Sequence, residues 1–78
     1  MEEEIYLKVH ESGKERILAA CDREILGKKF SQGDLELEVK KNFYQGTLTN
    51  LKTLRKEIEK ATIVNLVGNK VVNFALKH

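Results

Sequence analysis

The chain has 78 residues, 33% of them charged and 41% hydrophobic, with a single Cys, two His and no Pro. Such a composition describes one small globular domain, 1–78, and excludes a disordered chain, an internal disulfide and a closed zinc set. The formal net charge of +2 conceals a division, because residues 1–39 hold six Lys/Arg against ten Asp/Glu while residues 40–78 hold eight against two.

An acidic front and a basic back point to an anionic partner without naming it. A chain this short gains little net stability from its own core, so reinforcement by a second chain is an expected option. The best apolar run, Ile63 to Val67, is five residues long and interrupted by Asn65. A membrane span needs about 20, so no membrane role is expected. The opening Met1-Glu2-Glu3-Glu4 lacks the basic-then-apolar order of a secretory leader. Together with the lone Cys21, it suits a reducing, cytoplasmic setting.

Ile5, Leu7 and Val9 alternate with Tyr6, Lys8 and His10, the pattern of a half-buried strand. Ile17 to Cys21 is apolar at nearly every position and reads as a strand covered on both faces. A turn centred on Gly13, with a three-residue loop, sets Val9 against Ile17, Leu7 against Ala19 and Ile5 against Cys21. Asp22 to Gly27 reads as one capped helical turn, with Asp22 as N-cap and Gly27 as terminator. Lys28-Lys29-Phe30, the turn Ser31-Gln32-Gly33-Asp34 and the alternating Leu35 to Val39 form a second hairpin with one solvated face.

From Thr49 the apolar period becomes three and four, through Leu51, Leu54, Ile58 and Ala61, and predicts an amphipathic helix begun by Thr49 or Asn50. The β-branched Thr62-Ile63-Val64 argues for a short strand, with a continued helix as the alternative. Val71, Val72, Ala75 and Leu76 then mark a closing helix capped by Asn69. The fold class is α+β: a small, mainly antiparallel sheet of two hairpins, with room for a short fifth strand, packed with two helices.

Catalytic readings fare poorly. His10 and Cys21 point to opposite faces in the expected register and stand roughly 17 Å apart at 3.4 Å per residue, too far for a nucleophile and its base. Cys21 therefore reads as a buried small hydrophobe. Asp22 and Glu24 are explained by helix-start chemistry. Gly27-Lys28-Lys29 lacks the upstream glycine and the trailing Ser/Thr of a phosphate-binding loop. No catalytic residue, cofactor or metal site is expected.

Two basic elements remain. Lys40 and Lys41 precede Phe43 and Tyr44, and cations beside aromatic rings are what single-stranded nucleic acid engages: charge for phosphates and a π-face for bases. Against this stands the reading that both rings simply close the core. On the helix, Lys52, Lys56 and Lys60 form a stripe with Arg55 alongside, partly compensated by Glu57 and Glu59. A solvated face is the plain account of that stripe, and an anion-contacting ridge the sharper one.

In order, Cys21-Asp22, Leu26-Gly27-Lys28, Phe30, Gly33, Leu37 with Val39, Phe43-Tyr44 with Gly46, and Asn65-Leu66-Val67-Gly68 form a recognisable string. It resembles, from about Ile5 to Leu76, the mainly archaeal family catalogued as domain of unknown function 424. The resemblance implies an archaeal cytosolic α+β protein and brings no established activity. Relatives usually continue into a segment with a Pro-His pair, whereas this chain reads Lys77-His78, which is expected to leave apolar surface open for self-association.

The functional expectation is a non-enzymatic module that contacts RNA or a ribonucleoprotein through Lys40, Lys41, Tyr44, Lys52, Arg55, Lys56 and Lys60. The alternative is a protein-interaction or homo-oligomerising module with no nucleic-acid role.

Overall fold

The computed structural model describes residues 4–77; Met1–Glu3 and His78, with the reading of the opening residues as no leader, lie outside them. Strand β1 (Ile5–Ser12) turns into β2 (Glu15–Asp22) and a single 3-10 turn (Arg23–Ile25). Next come β3 (Lys29–Gln32), β4 (Leu35–Glu38), the one-turn α1 (Lys41–Tyr44) and β5 (Thr47–Thr49). Helix α2 (Leu51–Lys60), strand β6 (Ile63–Val67) and helix α3 (Asn69–Lys77) close the chain.

The fold is α+β. Four strands form the main sheet in the order β5-β1-β2-β6, and β3-β4 make a separate two-stranded ribbon. The second hairpin therefore does not extend the main sheet as expected. The strand beside β1 is β5, whose three residues are too few to show a period in the sequence. The choice between strand and helix after Ala61 resolves as a strand, Ile63–Val67, which runs parallel to β2.

The β1–β2 register differs from the sequence expectation. Ser12 pairs with Glu15, leaving a two-residue turn at Gly13-Lys14, so Val9 faces Leu18, Leu7 faces Ala20 and Ile5 faces Asp22. Gly13 adopts φ +59°, and no other residue type takes a positive φ among those described. Glycine at the first central position suits a two-residue hairpin turn whose twist matches the strands. Because side chains alternate, this one-residue slip exchanges the faces of the whole of β2.

Two cores result, one on each face of the sheet. Ile5, Leu7, Leu18 and Ala20 pack with Leu54 of α2 and Val71 of α3. Ala19 and Cys21 pack on the opposite face with Val39 and Tyr44. The small run Ala19-Ala20-Cys21, fully buried, lets both layers approach closely. Helix α2 starts at Asn50, whose Oδ1 accepts from Thr53 N–H at 3.1 Å, settling the choice between Thr49 and Asn50. Val39 is buried beyond the end of β4, its N–H donating to Lys28 O at 2.9 Å, so the second hairpin is shorter than its alternation suggested.

Asp22 does not cap the turn that follows it; no side-chain bond forms there. It caps α3 instead, across 48 residues of sequence: Oδ2 accepts from Lys70 N–H at 2.9 Å and Oδ1 from Val71 N–H at 3.0 Å. Asn69 is the first helical residue and not the cap. The carboxylate is only 3% exposed and sits against Gly68, where a Cβ would collide with its Cγ and where φ is +118°. Both the left-handed backbone and the lack of space demand glycine.

Removing this carboxylate orphans two helix-terminal N–H groups. Asp22→Ala is expected to cost about 2–4 kcal/mol and Asp22→Asn less, because an amide retains one accepting oxygen. Urea denaturation followed by circular dichroism checks it; a loss below about 0.5 kcal/mol, within the ordinary range of a surface change, contradicts the cap.

Candidate functional site

The segment around α1 lies on the Cys21 face of the sheet. Phe43 stacks on His10 with ring centroids 4.5 Å apart and planes 16° apart, and meets Tyr44 edge-on at 5.0 Å. A ring nitrogen of His10, Nε2, lies 2.8 Å from Phe43 O, and Lys8 Nζ donates to Asn42 O at 2.7 Å. These contacts fasten the short helix to β1. Tyr44 is 7% exposed, and burial next to Cys21 pushes its hydroxyl pKa up. It presents no free face on which a base could stack, so that role of Tyr44 is withdrawn. Lys40 and Lys41 remain exposed, the stem of Lys41 lying along Gly27.

Helix α2 covers the opposite face. Its inward side carries Leu51, Leu54 and Ile58, and Lys52, Arg55, Lys56 and Lys60 are exposed. Glu57 is drawn toward the sheet, where Arg16 bonds it at 3.1 Å and Glu11 at 2.8 Å, while Lys60 reaches Glu57 at 3.9 Å. Among the described residues the expected compensation comes from Glu57 alone: Glu59 bridges neither Arg55 nor Lys56, and Lys52, Arg55 and Lys56 make no salt bridge there. The sheet separates these cations from Lys40 and Lys41. The seven candidates thus form two groups on opposite faces and no continuous surface.

His10 and Cys21 share a face, contrary to the expected register, yet four strand positions separate their pairing partners. At about 3.4 Å per residue that is roughly 14 Å, so the distance still defeats a nucleophile–base pair. The Gly27 N–H, which a phosphate loop would need free, donates to Val39 O at 2.7 Å. No group of three His, Cys, Asp or Glu among the described residues is placed to hold a metal ion. A cleft of about 450 Å³ opens beside the α3 start, lined by Glu24, Ile25, Phe30 and Lys70, with both Asp22 oxygens already engaged.

The feature sequence reasoning missed is that the second hairpin stands apart from the main sheet, as a β3–β4 ribbon of its own. Phe30 pairs with Leu37 and Gln32 with Leu35, so Phe30, Leu35 and Leu37 share one face, with Gln32 as its one polar member. That face is uncovered: Phe30 is 43% exposed, Leu37 50% and Leu35 77%. The alternation Leu35-Glu36-Leu37-Glu38 marked one face as solvated and left the other assigned to the core. Four-residue strands with Lys29 at the start of the first and Lys28 and Asp34 flanking them were the available sign of a projecting ribbon.

The architecture and surfaces define a small α+β domain whose distinguishing features are surface patches. By its family match the chain belongs to the family described as "Protein of unknown function (DUF424)", over residues 10–78. It is similar in fold to an uncharacterized conserved protein from Methanopyrus kandleri, known from a crystal structure, with a TM-score of 0.76 and 22% identity. The alignment covers 94% of this chain and 71% of that one. Comparison with curated proteins gives no match. Among the described residues no helix is long and apolar enough to cross a membrane.

Cys21 is fully buried, and desolvation with the nearby Asp22 charge pushes its thiol pKa up to about 11. A thiol reagent at neutral pH is expected to modify it only on unfolding. Since the folded pKa lies above the unfolded one, the unfolded chain loses its proton first. The part of the stability linked to the neutral thiol is therefore fully present below about pH 9 and is lost as the pH rises toward 11. Cys21→Ala should flatten that decline in a denaturation series; an unchanged slope removes the assignment.

Proposed function

We propose that this chain is a non-enzymatic, archaeal and cytoplasmic binding module that contacts RNA or a ribonucleoprotein through the outer ridge of α2. The observation carrying the reading is the set Lys52, Arg55 and Lys56, exposed on one helix side without acidic partners among the described residues, while the neighbouring Glu57 is held by Arg16. Cations so placed gain from releasing phosphate counterions. Lys60 stands at the margin of the ridge, tied to Glu57. Lys40 and Lys41 lie on the other face and form a separate, smaller contact. Stacking by Tyr44 is no part of this reading.

A second reading is favoured by a different observation. The uncovered apolar face of Phe30, Leu35 and Leu37 suits a protein partner, and a two-stranded ribbon is marginally stable alone in water. In that case the chain is a protein-interaction module and the ridge is solvated surface.

Fluorescence anisotropy with labelled single- and double-stranded RNA of mixed sequence separates the two. Under the first reading, replacing Lys52, Arg55 and Lys56 together by Ala weakens binding about tenfold or more at low salt. It also makes the slope of log affinity against log salt shallower by about 2 to 3. The K40A/K41A pair has a smaller effect, and L35S/L37S has none. Undetectable or salt-insensitive binding removes the RNA reading and leaves the protein-interaction one.

A further inference from the structure

One edge of the main sheet carries information that neither the ridge nor the ribbon uses. β6 is bonded to β2, and among the described residues no strand covers its other side. Arg16 turns both backbone groups toward this side of β2: its N–H donates to Thr62 Oγ1 at 2.8 Å and its C=O accepts from Thr62 N–H at 2.9 Å. Strand residues alternate in this respect, so Leu18 and Ala20 do the same. With Leu18 abreast of Val64, the partners of Leu18 are the flanking Ile63 C=O and Asn65 N–H. Ile63, Asn65 and Val67 therefore direct their backbone groups at β2, and Val64 and Leu66 direct theirs at the free edge.

The strand has no protection against pairing. Natural edges are blunted by charge, Pro or bulges, yet between Lys60 and Lys70 the chain has neither a charged residue nor a Pro. Ile63, Val64 and Asn65 are all exposed. The strand Ile63-Val64-Asn65-Leu66-Val67 also reads the same in both directions by chemical type: two apolar residues, an amide and two apolar residues. A two-fold interface requires such self-complementarity, because the same patch must meet itself.

We propose that two copies of this chain pair antiparallel along β6, with the two-fold axis at Asn65. Val64 then faces Leu66 of the second copy, and the reverse, in two hydrogen-bonded pairs that use all four outward backbone groups. Asn65 meets its own counterpart in the closer, non-hydrogen-bonded position, where each amide both donates and accepts. Ile63 meets Val67. An Asn in mid-strand is a poor strand former; at the axis it sets the register. The two sheets join into one of eight strands, and both α2 ridges lie on the same face. The dimer goes beyond the RNA reading and does not depend on it.

Sedimentation equilibrium of the full chain and its variants tests the pairing. Wild type is expected as a dimer, twice the 9.0 kDa chain mass. Asn65→Asp and Asn65→Lys, each placing like charges across the axis at a position exposed in the single chain, should raise the dimer Kd by about tenfold or more. An equimolar mixture of the two should recover dimer, because opposite charges then meet. L35S/L37S should dimerise as wild type does. A monomeric wild type at about 1 mM overturns the proposal, since a chain with a Kd of that order associates by only about −4 kcal/mol. So does an unchanged Kd in both Asn65 variants, or dimerisation lost in L35S/L37S alone.

Discussion

The seat of α3 depends on a single carboxylate. Asp22, the last residue of β2, accepts from the backbone N–H groups of Lys70 and Val71 and so satisfies the start of a helix 48 residues away. An aspartate there also complements the positive end of the helix dipole. The contact fixes where α3 begins, which places Val71, fully buried, against Ile5, Leu18 and Leu54. The chain accommodates the carboxylate by leaving Gly68 without a side chain.

That contact in turn rests on a small event at the other end of the hairpin. With two residues in the Gly13-Lys14 turn, Asp22 lies opposite Ile5, on the face where α2 and α3 pack. One more residue in the loop would turn Asp22 toward the α1 layer and Cys21 toward the helices. A turn at the far end of the eight-residue β2 thus decides which residue receives the helix and which becomes an inert thiol.

The covered sheet also governs the surface. Helices α2 and α3 lie on one side and the α1 segment on the other, so basic stretches contiguous in sequence terms are held apart by the protein core. The rings of Phe43 and Tyr44 close the second core with His10 and Cys21. Small residues at 19–21 make this double covering possible, because larger ones would force the layers apart.

The sequence by itself determined the local elements: the alternation of β1, the three-and-four spacing of α2, the closing helix, the α+β class and the acidic-to-basic division. These follow from side-chain period and propensity, which act over a few residues. It also carried the burial of Cys21, an apolar position inside an apolar run. Register, partner strand and face were settled only by the tertiary structure. The parity of the Gly13 turn, the parallel pairing of β6, the short β5 and the role of Asp22 all join residues far apart in the chain, and local pattern carries no term for such contacts. The dispersal of Lys40 and Lys41 from Lys52, Arg55, Lys56 and Lys60 has the same cause: charge is counted along a chain, but its surface is set by which side of the sheet each helix packs against.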